Sequence, residues 1–197
     1  MVGVDDPRVL DALRVLRRAA FVPPDYAESA YDDKPIPIPH EQVTTQPSLS
    51  ASMVQALRLT GDEHVLEVGT GYGYQTALLA RLAAFVTSIE RWSDLATQAH
   101  RNLIGEGINN VRVVEGDGTE GVATHAPYDA VVVSAAFPQV PRPLVDQLRL
   151  GGCLVQPIGP GGADQVIRFE RTPEGLVERE RLLPARFVRL YGRHGYQ

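Results

Sequence analysis

This chain is poor in cysteine, lysine and long apolar runs, and each shortage excludes something. Cys153 is the only cysteine in 197 residues, so no internal disulfide is possible and nothing points to an oxidising compartment. Lys34 is the only lysine; arginine carries nearly all the positive charge. With a formal net charge of −5 the chain lacks the basic excess that general nucleic-acid binding favours. No apolar run approaches the roughly 20 residues of a membrane span. Met-Val-Gly-Val-Asp-Asp-Pro at the N-terminus has no basic region ahead of an apolar one, so no signal peptide is expected. The histidines at 40, 64, 100, 125 and 194 are scattered without metal-ligand spacing, so no metal is expected. The expectation is a soluble, cytoplasmic, monomeric protein, one domain over residues 1–197, binding neither nucleic acid nor membrane.

What is present centres on residues 64–75, His-Val-Leu-Glu-Val-Gly-Thr-Gly-Tyr-Gly-Tyr-Gln. Val65, Leu66 and Val68 suit a buried strand, and Thr76-Ala-Leu-Leu-Ala-Arg-Leu suits a helix. Between them Gly69, Gly71 and Gly73 make a tight turn that lets a ligand approach the backbone. A dinucleotide fingerprint wants glycine where Tyr74 stands, and a P-loop wants a lysine that is missing. Glu67, just ahead of the turn, repels a pyrophosphate but suits an ammonium or sulfonium. The pattern therefore points to the cationic cofactor S-adenosylmethionine.

Along the chain, Asp6-Pro7 opens a helix reaching Ala19 or Ala20. Residues 21–47 carry six prolines and read as irregular, either a lid or binding loop or a stiff wrap around the core. A second helix opens at Pro47 or Ser48 and closes at Gly61. Strands follow at 64–68, 85–89, 111–114, 128–133 and 153–156, with helices after the first, from Ser93 or Asp94 to Ile104, and over 138–148. Segments 165–171 and 176–183 suit an antiparallel hairpin, and a last strand is expected through 187–190. The alternation predicts an α/β, doubly wound, mostly parallel, Rossmann-like sheet with an antiparallel edge hairpin. Residues 1–61 form an N-terminal helical and loop cap with an acceptor loop, and 62–197 the cofactor-binding core.

In such sheets the ligand lies beyond the carboxyl ends of the strands. Glu67 ends the first strand. Glu90 ends the second, 21 residues after Gly69 (90 − 69), the spacing at which an acid accepts from ribose hydroxyls. Asp117, between Gly116 and Gly118, can accept from an adenine amine. Tyr72 and Tyr74 are candidate walls of the pocket. Without a Gly-x-Ser-x-Gly elbow, Ser134 reads as a strand-end polar group, and Cys153 as an inert core thiol.

These stretches resemble the protein-L-isoaspartate O-methyltransferase family over nearly the whole chain. Ala30-Tyr-Asp-Asp-Lys-Pro-Ile-Pro-Ile, Gln42-Val-Thr-Thr-Gln-Pro and Val65-Leu-Glu-Val-Gly-Thr-Gly-Tyr-Gly-Tyr-Gln carry the likeness. Gly116-Asp-Gly, Ala126-Pro-Tyr-Asp and Pro157-Ile-Gly-Pro, with Gln165 downstream, extend it. The resemblance adds Thr70, Tyr74, Gln75, Gly118 and Gln165 to Glu67, Gly69, Gly71, Glu90 and Asp117 as cofactor-side residues. It implies methyl transfer from S-adenosylmethionine to the free carboxylate of isoaspartyl residues in damaged peptides and proteins, a repair reaction whose ester then cyclises to a succinimide. Gln42, Thr44 and Thr45 are the expected acceptor-binding residues, with Thr45 the catalytic candidate.

The departures cluster in one loop. The family's Gly-x-Gly-Gln-Thr-Ile-Ser is here Pro39-His-Glu-Gln-Val-Thr-Thr45, and its Phe-Val-Pro-Leu is Phe187-Val-Arg-Leu. Arg189 is either a cation near the acceptor carboxylate or a solvated side chain. Two alternatives stay open: a methyltransferase of the same fold acting on another carboxylate, and a non-catalytic S-adenosylmethionine-binding protein.

Overall fold

The structure, a computed structural model, describes residues 3–197. Asp6 caps α1 (Pro7–Val15), its carboxylate accepting from the Arg8 amide at 2.8 Å. The helix stops short of the expected Ala19 because the next residues turn tightly over Arg18–Phe21, which carries Arg18 inward. Helices α2 (Pro47–Ala56) and α3 (Tyr74–Ala80) follow, with α4 (Ser93–Gly105) and the shorter α5 (Arg142–Gln147).

The segment expected to be irregular contains a two-stranded ribbon, β1 (Ile36–Ile38) and β2 (Gln42–Thr44), with Pro37 opposite Val43. A two-stranded ribbon is all edge, so its proline costs no second ladder. His40 and Glu41 form its tip with φ of 63° and 57°. That left-handed conformation is costly for side-chain-bearing residues.

The main sheet has the order β5-β4-β3-β6-β7-β8-β9. β3 (His64–Val68), β4 (Phe85–Glu90), β5 (Val111–Glu115), β6 (Tyr128–Val133) and β7 (Leu148–Ile158) run parallel. β8 (Asp164–Thr172) and β9 (Gly175–Ala185) close the edge as an antiparallel hairpin. The tail at 187–190 is not a strand of this sheet: it makes a single parallel bridge, Ala136 to Arg189, beyond the end of β6.

Alternating residues of the strands feed two apolar layers. Val65, Val86, Ala130, Val132 and Val155 face α1, α2 and α3; Leu66, Ile89, Val131, Val133 and Leu154 face α5 and the C-terminal tail. The chain leaves β3 toward β4 and β5 on one side and returns as β6 and β7 on the other. That reversal is the switch point where such sheets open a crevice.

Candidate active site

The crevice opens where β3 gives way to the glycine turn. Gly69, Gly71 and Gly73 take φ of 95°, 55° and 92°, which residues with a Cβ rarely adopt. The Gly69 amide donates to the Ile89 carbonyl, and the Ser134 amide to that of Val68, so three strand ends are tied together. A Cβ on Gly71 would sit 3.4 Å from Ile38, which shows how closely the β1–β2 ribbon covers the turn.

Glu90 lies at the cleft, as its spacing suggested, and its carboxylate accepts from the amides of Gly71 at 2.9 Å and Trp92 at 3.1 Å. Burial pushes it up from the ordinary carboxylate value. Thr70, Gly71, Tyr72, Tyr74 and Gln75 line the same cleft. The Thr70 hydroxyl bonds Ser88 at 2.5 Å, and Tyr74 packs edge-on against Phe21.

Glu67 differs from expectation. It lies beneath the turn rather than at the cleft wall, fully buried, accepting from Gln75 at 3.2 Å, Thr76 at 2.5 Å and Ser88 at 2.6 Å. No direct short-range contact with a ligand is available to it; Gln75 stands between. Burial, its largest influence, outweighs these donors and pushes the carboxyl up to about 7.

A raised carboxyl destabilises the fold as pH climbs. The native state holds the proton that the unfolded state releases near its ordinary value, so stability falls from about pH 4.5 to about pH 7. The loss across that window is on the order of 3 kcal/mol. Urea melts of the ligand-free protein at pH 5 and pH 8 are expected to show this slope, and Glu67→Gln to flatten it. Parallel slopes for both proteins would contradict the assignment.

Asp117 accepts from the amide and hydroxyl of Thr119 at 2.8 Å and 2.7 Å and from the Arg193 amide at 2.7 Å. Those bonds draw it below the ordinary aspartate value despite the opposing effect of burial, its largest influence. Asp117 is not among the residues that line this cleft; these bonds pin the C-terminal tail to it. Gly118 is required by packing, since a Cβ there would lie 2.4 Å from Val68. Gln165 sits on β8, three strands from β3, its amide donating to the Val166 carbonyl, and is not among the residues that line this cleft.

The acceptor-loop candidates divide. Gln42, Thr44 and Thr45 all line the cleft. Thr44, however, is buried with its hydroxyl accepting from Arg18 at 3.2 Å, so it holds the loop rather than a ligand. Gln42 donates to the His40 carbonyl at 2.8 Å. Thr45 gives its carbonyl to Arg18, and among the described residues no partner engages its hydroxyl. A second cavity of about 290 Å³ adjoins this one. Val43, Thr45, Ser134 and Val188 line both, and among the described residues Arg186 is the only charged side chain on the second. Arg189 resolves to solvent: exposed, its Nε donates to the Pro160 carbonyl at 3.0 Å and its guanidinium covers Tyr196.

Three contributors escaped the sequence reading. Arg18 is buried and donates to the carbonyls of Ala30, Asp32, Lys34 and Thr45 as well as to Thr44. His40 stacks on Trp92 at 3.9 Å and reaches both Asp94 oxygens at 2.9 Å, fastening the ribbon tip beside the loop after β4. Ser134 receives the Gln75 amide at 2.9 Å. Cys153 is half-buried, its thiol pushed up to about 11 by desolvation, in keeping with an inert group. Among the described residues no group of three or more His, Cys, Asp or Glu side chains is arranged to hold a metal, and no helix is long and apolar enough to cross a membrane.

A glycine turn at the switch point of a mostly parallel seven-stranded sheet, with acids at successive strand ends, defines a class I S-adenosylmethionine-dependent methyltransferase fold. Comparison with known proteins narrows this. The sequence model of the family Protein-L-isoaspartate(D-aspartate) O-methyltransferase matches residues 2–195. The chain belongs to that family. A protein-L-isoaspartate O-methyltransferase of Anaeromyxobacter dehalogenans is 51% identical over 191 residues, covering 96% of this chain and 91% of its own. One of Methanoculleus marisnigri is 46% identical over 195 residues, covering 99% and 88%. A solved protein-L-isoaspartate O-methyltransferase superposes with a TM-score of 0.84 at 30% identity over 98% of this chain, which spans 63% of that longer chain. A Plasmodium falciparum structure described as a complex with S-adenosyl-L-homocysteine shares the fold, with a TM-score of 0.82 at 23% identity over 95% of this chain and 92% of its own.

Proposed function

We propose that this chain methylates the free α-carboxylate of L-isoaspartyl residues in exposed peptide segments, with S-adenosylmethionine as donor. The observation that carries the reading is the meeting of two cavities at Thr45 and Ser134, one with Glu90 and the glycine turn, the other with Arg186. The donor's binding residues would be Gly69, Thr70, Gly71, Tyr74, Gln75, Glu90, Asp117 and Gly118. Their chemistry fits: Glu67 and Glu90 are both held above the ordinary carboxylate value by burial, so a cation nearby relieves both. When bound, S-adenosylmethionine supplies a methyl group on a sulfonium.

The chain's own task is then to position and to dry the site. An α-carboxylate is already ionised at neutral pH, so no strong base is needed. Arg186 draws the carboxylate into the second cavity, and the Thr45 hydroxyl donates to one oxygen, leaving the other aimed along the attack line. The enclosed part of the donor cleft is only about 70 Å³, against the 300 Å³ or more usual for ligand pockets. The β1–β2 ribbon therefore lifts to admit the donor and closes to exclude water. The enzyme works as a cytoplasmic monomer on peptides and proteins, binding neither nucleic acid nor membrane. It forms one methyltransferase domain, with residues 1–61 as cap and 62–197 as core.

Thr45→Val is expected to lower turnover of an isoaspartyl peptide roughly 5- to 150-fold at saturating donor, the value of one positioning hydrogen bond. Thr45→Ser retains most of the rate. A Thr45→Val enzyme as fast as the parent makes the residue purely structural. The altered loop, with Pro39, Glu41, Val43 and Thr45, is the observation that favours a second reading, a different carboxylate as acceptor. A screen of carboxylate acceptors separates the two.

A further inference from the structure

The tip of the β1–β2 ribbon makes contacts that the donor cleft does not use. His40 lies flat on Trp92, ring centroids 3.9 Å apart and planes 5° from parallel. Its Nε2 bonds both carboxylate oxygens of Asp94, in the first turn of α4, at 2.9 Å. His40, Trp92 and Asp94 are not among the residues that line the donor cleft. The tip is also set in a conformation that has to be held. His40 and Glu41 both take left-handed φ, which persists only where surrounding contacts enforce it. Among the described residues, His40 makes the only side-chain hydrogen bonds from these two to another element.

Trp92 is the other half of the contact. Its indole Nε1 is buried without a partner, so no hydrogen bond fixes the ring. His40 stacks on it, and the Arg91 guanidinium lies 5.1 Å from its centre. The Trp92 amide donates to the Glu90 carboxylate, so the contact joins the ribbon to the loop that carries the donor-side acid. Beside the tip a cavity of about 510 Å³, lined by Pro39, Tyr72, Asp94 and Leu95, gives the ribbon room to swing.

Resting on the cofactor reading above, we propose that His40 is a positioning residue of the lid. Stacked on Trp92 and bonded to Asp94, it is the catch that holds the ribbon shut, and it sets how fast donor and spent donor exchange. The catch is a light one. The His40 and Asp94 side chains are 32% and 60% exposed, where an ion pair contributes little, so the ring stack carries most of the hold. A light catch suits a lid that opens in every turnover. It acts alike on the empty and the loaded protein, so its removal speeds entry and exit together.

Surface-immobilised whole protein, with S-adenosylhomocysteine flowed over it, measures both rates. His40→Gly removes the ring, and glycine suits a φ of 63°, so the turn survives. It is expected to raise the association and dissociation rates together, roughly 3- to 50-fold, the value of one aromatic stack with one exposed ion pair. The Kd stays within about threefold, because a contact made equally in both states shifts no binding equilibrium. Trp92→Leu breaks the same stack from the other side and has a similar effect. The two substitutions together add little to either alone, since they remove one shared contact. Unchanged rates, a faster dissociation alone with Kd weakened to match, or full additivity of the two substitutions overturns the catch while leaving the cofactor reading intact. Failure of the parent protein to bind S-adenosylhomocysteine overturns both.

Discussion

Arg18→Met is expected to release the loop that carries Thr45 and to abolish most acceptor turnover. Methionine keeps the apolar stem but removes every donor. The carbonyls of Ala30, Asp32, Lys34 and Thr45, with the Thr44 hydroxyl, then lose a shared partner. Among the described residues no carboxylate pairs with the guanidinium; mostly backbone carbonyls hold it, and desolvation lowers its pKa from the ordinary arginine value. Unpaired buried acceptors cost about 1–3 kcal/mol each. Several of these regain water as the loop opens, so a net loss of about 3–5 kcal/mol is expected. For a chain of this size that lowers Tm by roughly 6–20 °C. Amide exchange should quicken across 30–45 before it does in the parallel strands. A variant with the parent's Tm and turnover would show that Arg18 is not the loop's anchor.

Glu90→Ala is expected to weaken S-adenosylhomocysteine at least tenfold. Among the described residues the carboxylate is the one charged group lining the donor cleft. Hydrogen bonds to a charged group contribute about 1.5–3 kcal/mol, hence roughly 10- to 150-fold. Alanine also strips the partner from the Gly71 and Trp92 amides, which loosens the turn. Glu90→Gln keeps one acceptor and should fall between. Calorimetry checks the order, and parent-like binding by Glu90→Ala would remove Glu90 from the site.

The glycine turn and the acids at 67, 90 and 117 were legible because each is a local signal: a residue type at a strand end. Their partners were not. Asp117 is met by Arg193, 76 positions later, and no spacing rule announces that. Arg18 was invisible for a related reason. Its partners lie 12 to 27 positions on and are mostly backbone carbonyls, which have no residue identity to read. The prolines at 35, 37 and 39 argued against strands, yet a two-stranded ribbon tolerates them. The strand expected at 187–190 reduces to a single bridge to Ala136, with Phe187 and Leu190 turned inward, because no ladder forms there. Glu67 was placed correctly along the chain but assigned the wrong depth, since sequence gives a strand's end and not the turn that folds back over it.

The most direct test pairs a peptide containing L-isoaspartate with its aspartyl twin, both incubated with the protein and methyl-labelled S-adenosylmethionine. The twins have the same composition and charge and differ only in which carboxylate is free. The expected result is base-labile methyl ester, released as methanol, from the isoaspartyl peptide and little or none from its twin. Equal methylation of the two, or of neither while the donor is bound, would contradict an isoaspartyl acceptor.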